Sequence, residues 1–203
     1  MKLLLSPISP YARKVRIVAA EKRIELEMVP VVLSAPDCPV NEHNPLGKIP
    51  VLLLDDGDSL FDSRVIVEYL DNRTPLARLI PQENSLRITV RRWEALADGI
   101  CDAAVAALME SRRPGQMQDP ASIAKQLGKV ERGLKALSQE LGNNKWCVGD
   151  AFSLADVAVG CVLGYLELRY KNINWQQQYP NLAEYYAELM KRASFKESAP
   201  PES

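Results

Sequence analysis

The chain has 203 residues, with 25 lysines and arginines against 26 acidic residues and a single histidine, for a formal net charge of −1. That balance excludes a general electrostatic pull toward nucleic acid or an anionic membrane surface, and one histidine leaves a zinc site or a Ser-His-Asp triad little to work with. No apolar run approaches the roughly 20 residues that span a bilayer, and the hydrophobic stretch in Met1-Lys2-Leu3-Leu4-Leu5-Ser6-Pro7 is too short for a signal peptide, so the expected location is the cytoplasm.

Residues 2–5 read as a short buried strand. Ser9 and Pro10 then take the N-cap and first-turn positions of a helix that runs to about Lys22, with Val15, Val18 and Ala19 on its apolar face. Residues 25–32 alternate well enough for a second strand, and Pro30 places it at a sheet edge or a bulge. A loop rich in Pro and Asn follows, through Asn44-Pro45. Val51 to Leu54, the turn Asp55-Asp56-Gly57-Asp58 and Ser59-Leu60-Phe61 read as a β-hairpin. Asp62 caps the next helix, to about Leu70, and the Pro-containing segment from Arg73 to Pro81 reads as a linker.

Beyond the linker the spacing is helical. Residues 85–112 predict a long helix ended by Pro114-Gly115. Asp119-Pro120 starts another, in which Ile123, Leu127, Val130, Leu134, Leu137 and Leu141 form an amphipathic stripe that Gly142 stops. Ser153 and Asp156 make a capping box, with Phe152 and Val157 as its hydrophobic staple. The helix after it, to about Leu168, is apolar on most sides and so central; a last helix starts near Pro180. A small α/β unit thus precedes an all-helical one.

Three places in the first unit carry chemistry. Ser9 at a helix N-terminus is at the least a cap. A hydroxyl donor and a helix dipole aimed at a sulfur would also favour a thiolate, and lowering a thiol pKa by about two units takes roughly 2.7 kcal/mol, a size that one charge-assisted hydrogen bond plus the dipole supplies. Ile49-Pro50 before a strand is the second: a cis bond there would turn the Ile49 backbone N–H and C=O outward like an unpaired sheet edge, open to an extended peptide. Asp62-Ser63 is the third. It is a routine N-cap, and its hydroxyl, free helix N–H groups and carboxylate also suit the two charges of an amino-acid end.

Ser9-Pro10-Tyr11-Ala12-Arg13-Lys14-Val15, Asn44 to Leu52 and Phe61-Asp62-Ser63 resemble the N-terminal half of cytosolic glutathione S-transferases. The box from Ser153 to Asp156 resembles the helical-domain signature of that family, and Arg92 to Ile100 looks like its small bacterial serine-type members. The resemblance implies a thioredoxin-like glutathione-binding domain (βαβ-α-ββα) over residues 1–78 and an all-helical C-terminal domain over 84–203. It implies that Ser9 orients the glutathione sulfur as the catalytic residue, that Ile49 ahead of a cis-Pro50 pairs with the cysteinyl backbone, and that Asp62 and Ser63 hold the γ-glutamyl end. Lys48 and His43 are the candidates for the glycine carboxylate. The family is usually a homodimer with the long first helix of the second domain at its interface, where Asp98 would approach the partner's γ-glutamyl ammonium group; a solvated Asp is the plainer reading.

No Cys occupies position 9, which disfavours the thiol-transfer chemistry of Cys-type relatives, and Tyr11 follows Pro10 and is expected to pack rather than to catalyse. The implied activity is addition of the glutathione thiolate to a small hydrophobic electrophile, in a detoxification role. Peroxidase or isomerase activity on the same thiol stays open, as does a non-catalytic binding or regulatory protein on the same fold. No metal is expected. Cys38, Cys101, Cys147 and Cys161 form no Cys-x-x-Cys pair and read as free thiols, Cys101 and Cys161 as inert ones. Arg87, Arg91, Arg92, Arg112 and Arg113 read as solvated helix surface or salt-bridge partners, and Trp93, Trp146 and Trp175 as core or interface.

Overall fold

Leu3, Leu4 and Leu5 are 0–3% exposed because the strand they form, β1 (Lys2–Leu5), lies inside a sheet of order β2-β1-β3-β4. The computed structural model describes residues 1–201. β1 runs parallel to β2 (Glu27–Pro30), with Leu5 opposite Pro30. It runs antiparallel to β3 (Val51–Leu53), with Leu4 opposite Val51. β3 pairs antiparallel with β4 (Ser59–Leu60), Leu52 opposite Leu60. A parallel pair needs a crossover, and α1 (Pro10–Glu21) provides it. Pro30, which has no N–H to give, sits on the edge strand as expected.

One sheet face is covered by a small core in which Leu4 and Val51 meet Cys38 and Val40. Val40 belongs to α2 (Val40–His43), a single helical turn inside the segment read from the sequence as loop; four residues are too few to show a helical period. After the hairpin, Asp62 caps α3 (Ser63–Arg73), its side chain accepting from the Arg64 N–H. α3 packs against α1.

The segment after α3, read as a linker, is tied down. The Lys22 ammonium reaches Asp71 Oδ1 at 3.1 Å and donates to the carbonyls of Thr74 and Leu76, while the Asp71 carboxylate accepts the N–H groups of Leu79 and Ile80 at 2.8 and 3.1 Å.

The chain divides into two compact units, one made of Met1–Pro81 with the residues from Met190 onward, the other of Gln82–Leu189. The second unit is helical: α4 (Asn84–Ser111), α5 (Pro120–Leu141), α6 (Leu154–Arg169), the short α7 (Trp175–Gln178) and α8 (Pro180–Leu189). α4 packs on both α5 and α6. α5 buries Val130, Leu134, Leu137 and Leu141 of its stripe, and α6 is buried continuously from Leu154 to Leu166, which makes it the central helix. The capping box of α6 is formed, and the Phe152 ring meets Trp146 edge-on at 5.5 Å. Of the arginines singled out above, Arg91 pairs with Glu94, Arg92 with Glu140 and Arg113 with Glu110. Trp93 and Trp175 are core residues, 3% and 1% exposed.

The expectation of one helical domain over 84–203 meets a difference at its end. α9 (Ala193–Glu197) packs against α1 and belongs to the first unit. The physical reason is a set of side chains on α1 that bond this segment.

Candidate active site

The strand registers bring the three chemistry-bearing places to one end of the sheet. β1 leads out past Leu5 to Ser9. Because β3 is antiparallel to β1 with Val51 opposite Leu4, Ile49 lies two residues back along β3, beyond that same end. β4 is antiparallel to β3 with Leu60 opposite Leu52, so Phe61, Asp62 and Ser63 emerge there as well.

Ser9 closes a tight turn, its N–H on the Ser6 carbonyl at 3.0 Å, and then caps α1 with Oγ accepting from the Ala12 N–H at 3.3 Å. It is half-buried. A serine hydroxyl accepts and donates at once. Among the described residues the Ser9 hydroxyl only accepts, so its own proton remains available to a ligand beside the positive end of α1.

Ile49 is held by a loop with its own clip. Asn44, 2% exposed, donates from Nδ2 to the Lys48 carbonyl at 2.8 Å and accepts the Leu46 N–H on Oδ1 at 3.0 Å. Its backbone N–H bonds the Val40 carbonyl at 2.7 Å and its carbonyl takes the Gly47 N–H at 2.9 Å. Gly47 has φ +61, and a Cβ there would stand 3.1 Å from Asn41 Oδ1, so a side chain is disfavoured on both counts. Ser59 Oγ pins the His43 carbonyl at 3.0 Å. The Ile49–Pro50 bond is cis, as is Phe61–Asp62. No hydrogen bond within the described residues engages the Ile49 N–H or C=O.

Asp62 is exposed, with Oδ1 on the Arg64 N–H at 2.9 Å. Ser63 is 3% exposed, and neither its hydroxyl nor its N–H is hydrogen-bonded among the described residues. The first N–H groups of a helix have no intrahelical acceptor, so this is a donor pair next to a carboxylate. Lys48 is exposed and His43 half-buried, and both flank the loop that carries Ile49. Asp98 lies in α4, in the other unit, and is 5% exposed rather than solvated.

Residues 3–78 match the family model "Glutathione S-transferase, N-terminal domain" and residues 120–188 match "Glutathione S-transferase, C-terminal domain". The GST-like protein YibF of Escherichia coli is 34% identical over 203 residues, covering all of both chains. The chain belongs to the glutathione S-transferase family. A glutathione S-transferase of Methylobacillus flagellatus, solved with glutathione bound, is 70% identical and superposes with a TM-score of 0.97 over 98% of this chain and 99% of its own. A second, from Methylobacterium radiotolerans, solved with glutathione sulfonate, is 40% identical with a TM-score of 0.95 over 100% and 95%.

The fold of this transferase family is thus present in full, as the sheet domain and the helical unit described above. Asn44, given no role of its own in the sequence reading, holds the loop that carries Ile49. Asn before Pro in a turn-rich stretch is a signal for local side-chain bonding, and the two hydrogen bonds that the Asn44 side chain makes, one accepted from Leu46 and one donated to Lys48, are its realisation here. No helix among the described residues is long and apolar enough to cross a membrane.

Proposed function

We propose that the chain binds glutathione across the open end of its sheet and adds the thiolate to a small hydrophobic electrophile. Ser9 donates its hydroxyl proton to the sulfur. The Ile49 N–H and C=O pair with the cysteinyl backbone as a strand would. The Asp62 carboxylate takes the γ-glutamyl ammonium, and the Ser63 N–H and hydroxyl take the adjoining carboxylate. The Lys48 ammonium and the His43 ring are the nearby groups for the glycine end. The thiol proton leaves to solvent. The sulfur then forms a bond to electrophilic carbon, and the leaving group departs with its electron pair.

The single observation that carries this reading is the convergence, by strand register, of three groups with unspent hydrogen-bonding capacity: the Ser9 hydroxyl proton, the Ile49 backbone and the Ser63 donors. The solved relatives that hold glutathione support the choice of ligand. Free cysteines at all four positions support a reducing compartment, and we place the enzyme in the cytoplasm as a homodimer with a detoxifying role. Calorimetric titration with glutathione and an aryl-halide conjugation assay test the reading together. Saturable binding with turnover is expected, and Ser9→Ala should cost about a hundredfold in turnover with a smaller loss of affinity. Binding without turnover on any electrophile points instead to a non-catalytic protein, and absence of binding ends the reading.

A further inference from the structure

Side chains along the whole length of α1 are bonded to the C-terminal segment of the first unit. Arg13, 3% exposed, donates from Nε to Ser198 Oγ at 3.4 Å and from a terminal nitrogen to the Phe195 carbonyl at 3.2 Å. Its guanidinium stands 5.7 Å from the centre of the Phe195 ring. One turn on, Arg16 donates to the carbonyls of Ser198 and Glu197 at 3.1 and 2.9 Å. At the far end Glu21 accepts both arms of Arg192, at 2.9 and 2.7 Å, and the Ser194 hydroxyl at 2.5 Å. The carbonyls that Arg13 and Arg16 take are those of the last turn of α9, which have no intrahelical donors, so the two arginines cap one helix while standing on another. Phe195, 0% exposed, nails the segment down.

The same turn of α1 carries Ser9. The Arg13 N–H donates to the Ser9 carbonyl at 2.9 Å, and Ser9 Oγ is the cap of that turn. The guanidinium that grips α9 and the hydroxyl offered to the ligand therefore belong to one rigid piece of backbone. Hydrogen-bond catalysis is steep in distance: a misplacement of about 1 Å can cost about a hundredfold in rate.

We infer that the segment from Arg192 to Ser198 is a strap that sets the axial position of α1 and hence of the Ser9 hydroxyl, with Arg13 and Arg16 as positioning residues for the thiol step. The inference rests on the reading of Ser9 given above. It makes the C-terminal segment part of the sulfur-orienting machinery although it supplies no group to the ligand.

The test uses the full chain with Arg13→Gln, Arg13→Lys and Arg16→Gln. Turnover, KM for glutathione and the pKa of bound glutathione, followed by thiolate absorbance against pH, are read on each. Arg13→Gln should lower kcat about tenfold and raise the bound-thiol pKa by about one unit, with KM changed less than about twofold. Arg13→Lys should recover part of both, since a point charge reaches the carbonyl without the planar fork. Arg16→Gln, on a half-buried residue, should shift both readouts the same way by about threefold.

A folded Arg13→Gln enzyme with wild-type kcat and thiol pKa overturns the inference, as does a change confined to KM. If Arg13→Gln does not fold, Arg16→Gln decides on the same two readouts, a shift supporting the strap and none overturning it. A wild-type protein without saturable glutathione binding, or a Ser9→Ala variant with full turnover, overturns the reading of the site and this inference with it. A crippled Ser9→Ala beside an unaltered Arg13→Gln removes the strap alone.

Discussion

The ammonium of Lys22 and the carboxylate of Asp71 meet at 3.1 Å with side chains 0% and 2% exposed. Each partner has further work, Lys22 on the Thr74 and Leu76 carbonyls and Asp71 on the Leu79 and Ile80 N–H groups. The pair therefore joins the end of α1 to the whole segment that follows α3. Two buried charges gain little over an apolar pair, but removing one strands the other. Asp71→Ala should cost about 3–5 kcal/mol in urea unfolding, and a loss under about 1 kcal/mol would mean that water reaches the ammonium.

Asn44 acts on the loop that leads to Ile49 rather than on the core. Asn44→Ala removes the bonds to Leu46 and Lys48 and frees the backbone that carries Ile49. We expect glutathione affinity to fall about tenfold, the cost of a buried clip of this kind, with turnover at saturating glutathione retained. Isothermal titration decides: unchanged affinity in a folded variant would show that Pro45, Gly47 and Pro50 shape the loop unaided.

Local chemistry made much of this fold readable. Ser9, Asp62, Asp119 and Ser153 announce helix starts because a capping oxygen must sit next to its N–H groups in sequence, and all four do so here. The turn at Asp55 to Asp58 and the stripe of α5 are equally local. What escaped is non-local or too short. α2 has only four residues, Val40–His43. Asp71 reads as an ordinary helix residue until Lys22 stands opposite it. Arg13 bonds a serine 185 positions away, a separation over which no spacing rule operates, so by sequence alone the C-terminal segment reads with its helical neighbours. At the candidate site the capping roles of Ser9 and Asp62 follow from local sequence, whereas the unspent donors of Ser9 and Ser63 depend on the bonds that the whole fold makes around them.

Asp156 is 0% exposed and accepts from the Cys147 N–H, the Ser153 N–H and hydroxyl, and the Tyr185 hydroxyl, at 2.6–2.9 Å. Burial pushes the Cys147 thiol well above its ordinary range, the Asp156 charge adds to that, and the Tyr185 hydrogen bond only partly offsets them. The thiolate is the reactive form. A chromogenic disulfide reagent at neutral pH should therefore leave Cys147 unlabelled in the folded protein and label it once denatured. Asp156→Ala should destabilise by about 3 kcal/mol or more, since several buried donors lose their acceptor together. Rapid labelling of native Cys147 would contradict the first expectation.

Glu21 gives the strap a pH dependence. Burial raises its carboxyl pKa, but the Arg192 and Ser194 hydrogen bonds and the Arg192 charge outweigh burial and leave it below the ordinary 4.5. A carboxyl depressed on folding contributes stability that is present above its unfolded value and lost as pH falls through the folded one. Acidification below about 4.5 should thus weaken the wild type more steeply than Glu21→Gln, which has no such proton to gain. Parallel stability curves for the two between pH 5 and 3, measured by denaturant unfolding, would show the pair to be solvent-screened.

Two glycines of α5 should answer to the same substitution with opposite signs. Glycine inside a helix costs about 1 kcal/mol relative to alanine, so Gly→Ala gains wherever the methyl has room. At Gly128 a Cβ meets only the flexible end of Arg132, at 3.3 Å, whereas at Gly133 it would stand 2.4 and 2.6 Å from Cγ1 and Cδ1 of Ile100. Ile100 is 2% exposed on α4, so it cannot swing into solvent, and relief requires α4 and α5 to separate. Gly128→Ala should raise stability by up to about 1 kcal/mol, while Gly133→Ala should lower it by about 1–3 kcal/mol. Adding Ile100→Ala to Gly133→Ala should cost less than the two single changes summed, because the new methyl fills part of the cavity that truncation opens. Strict additivity in that cycle would mean that the two side chains do not share the space between the helices.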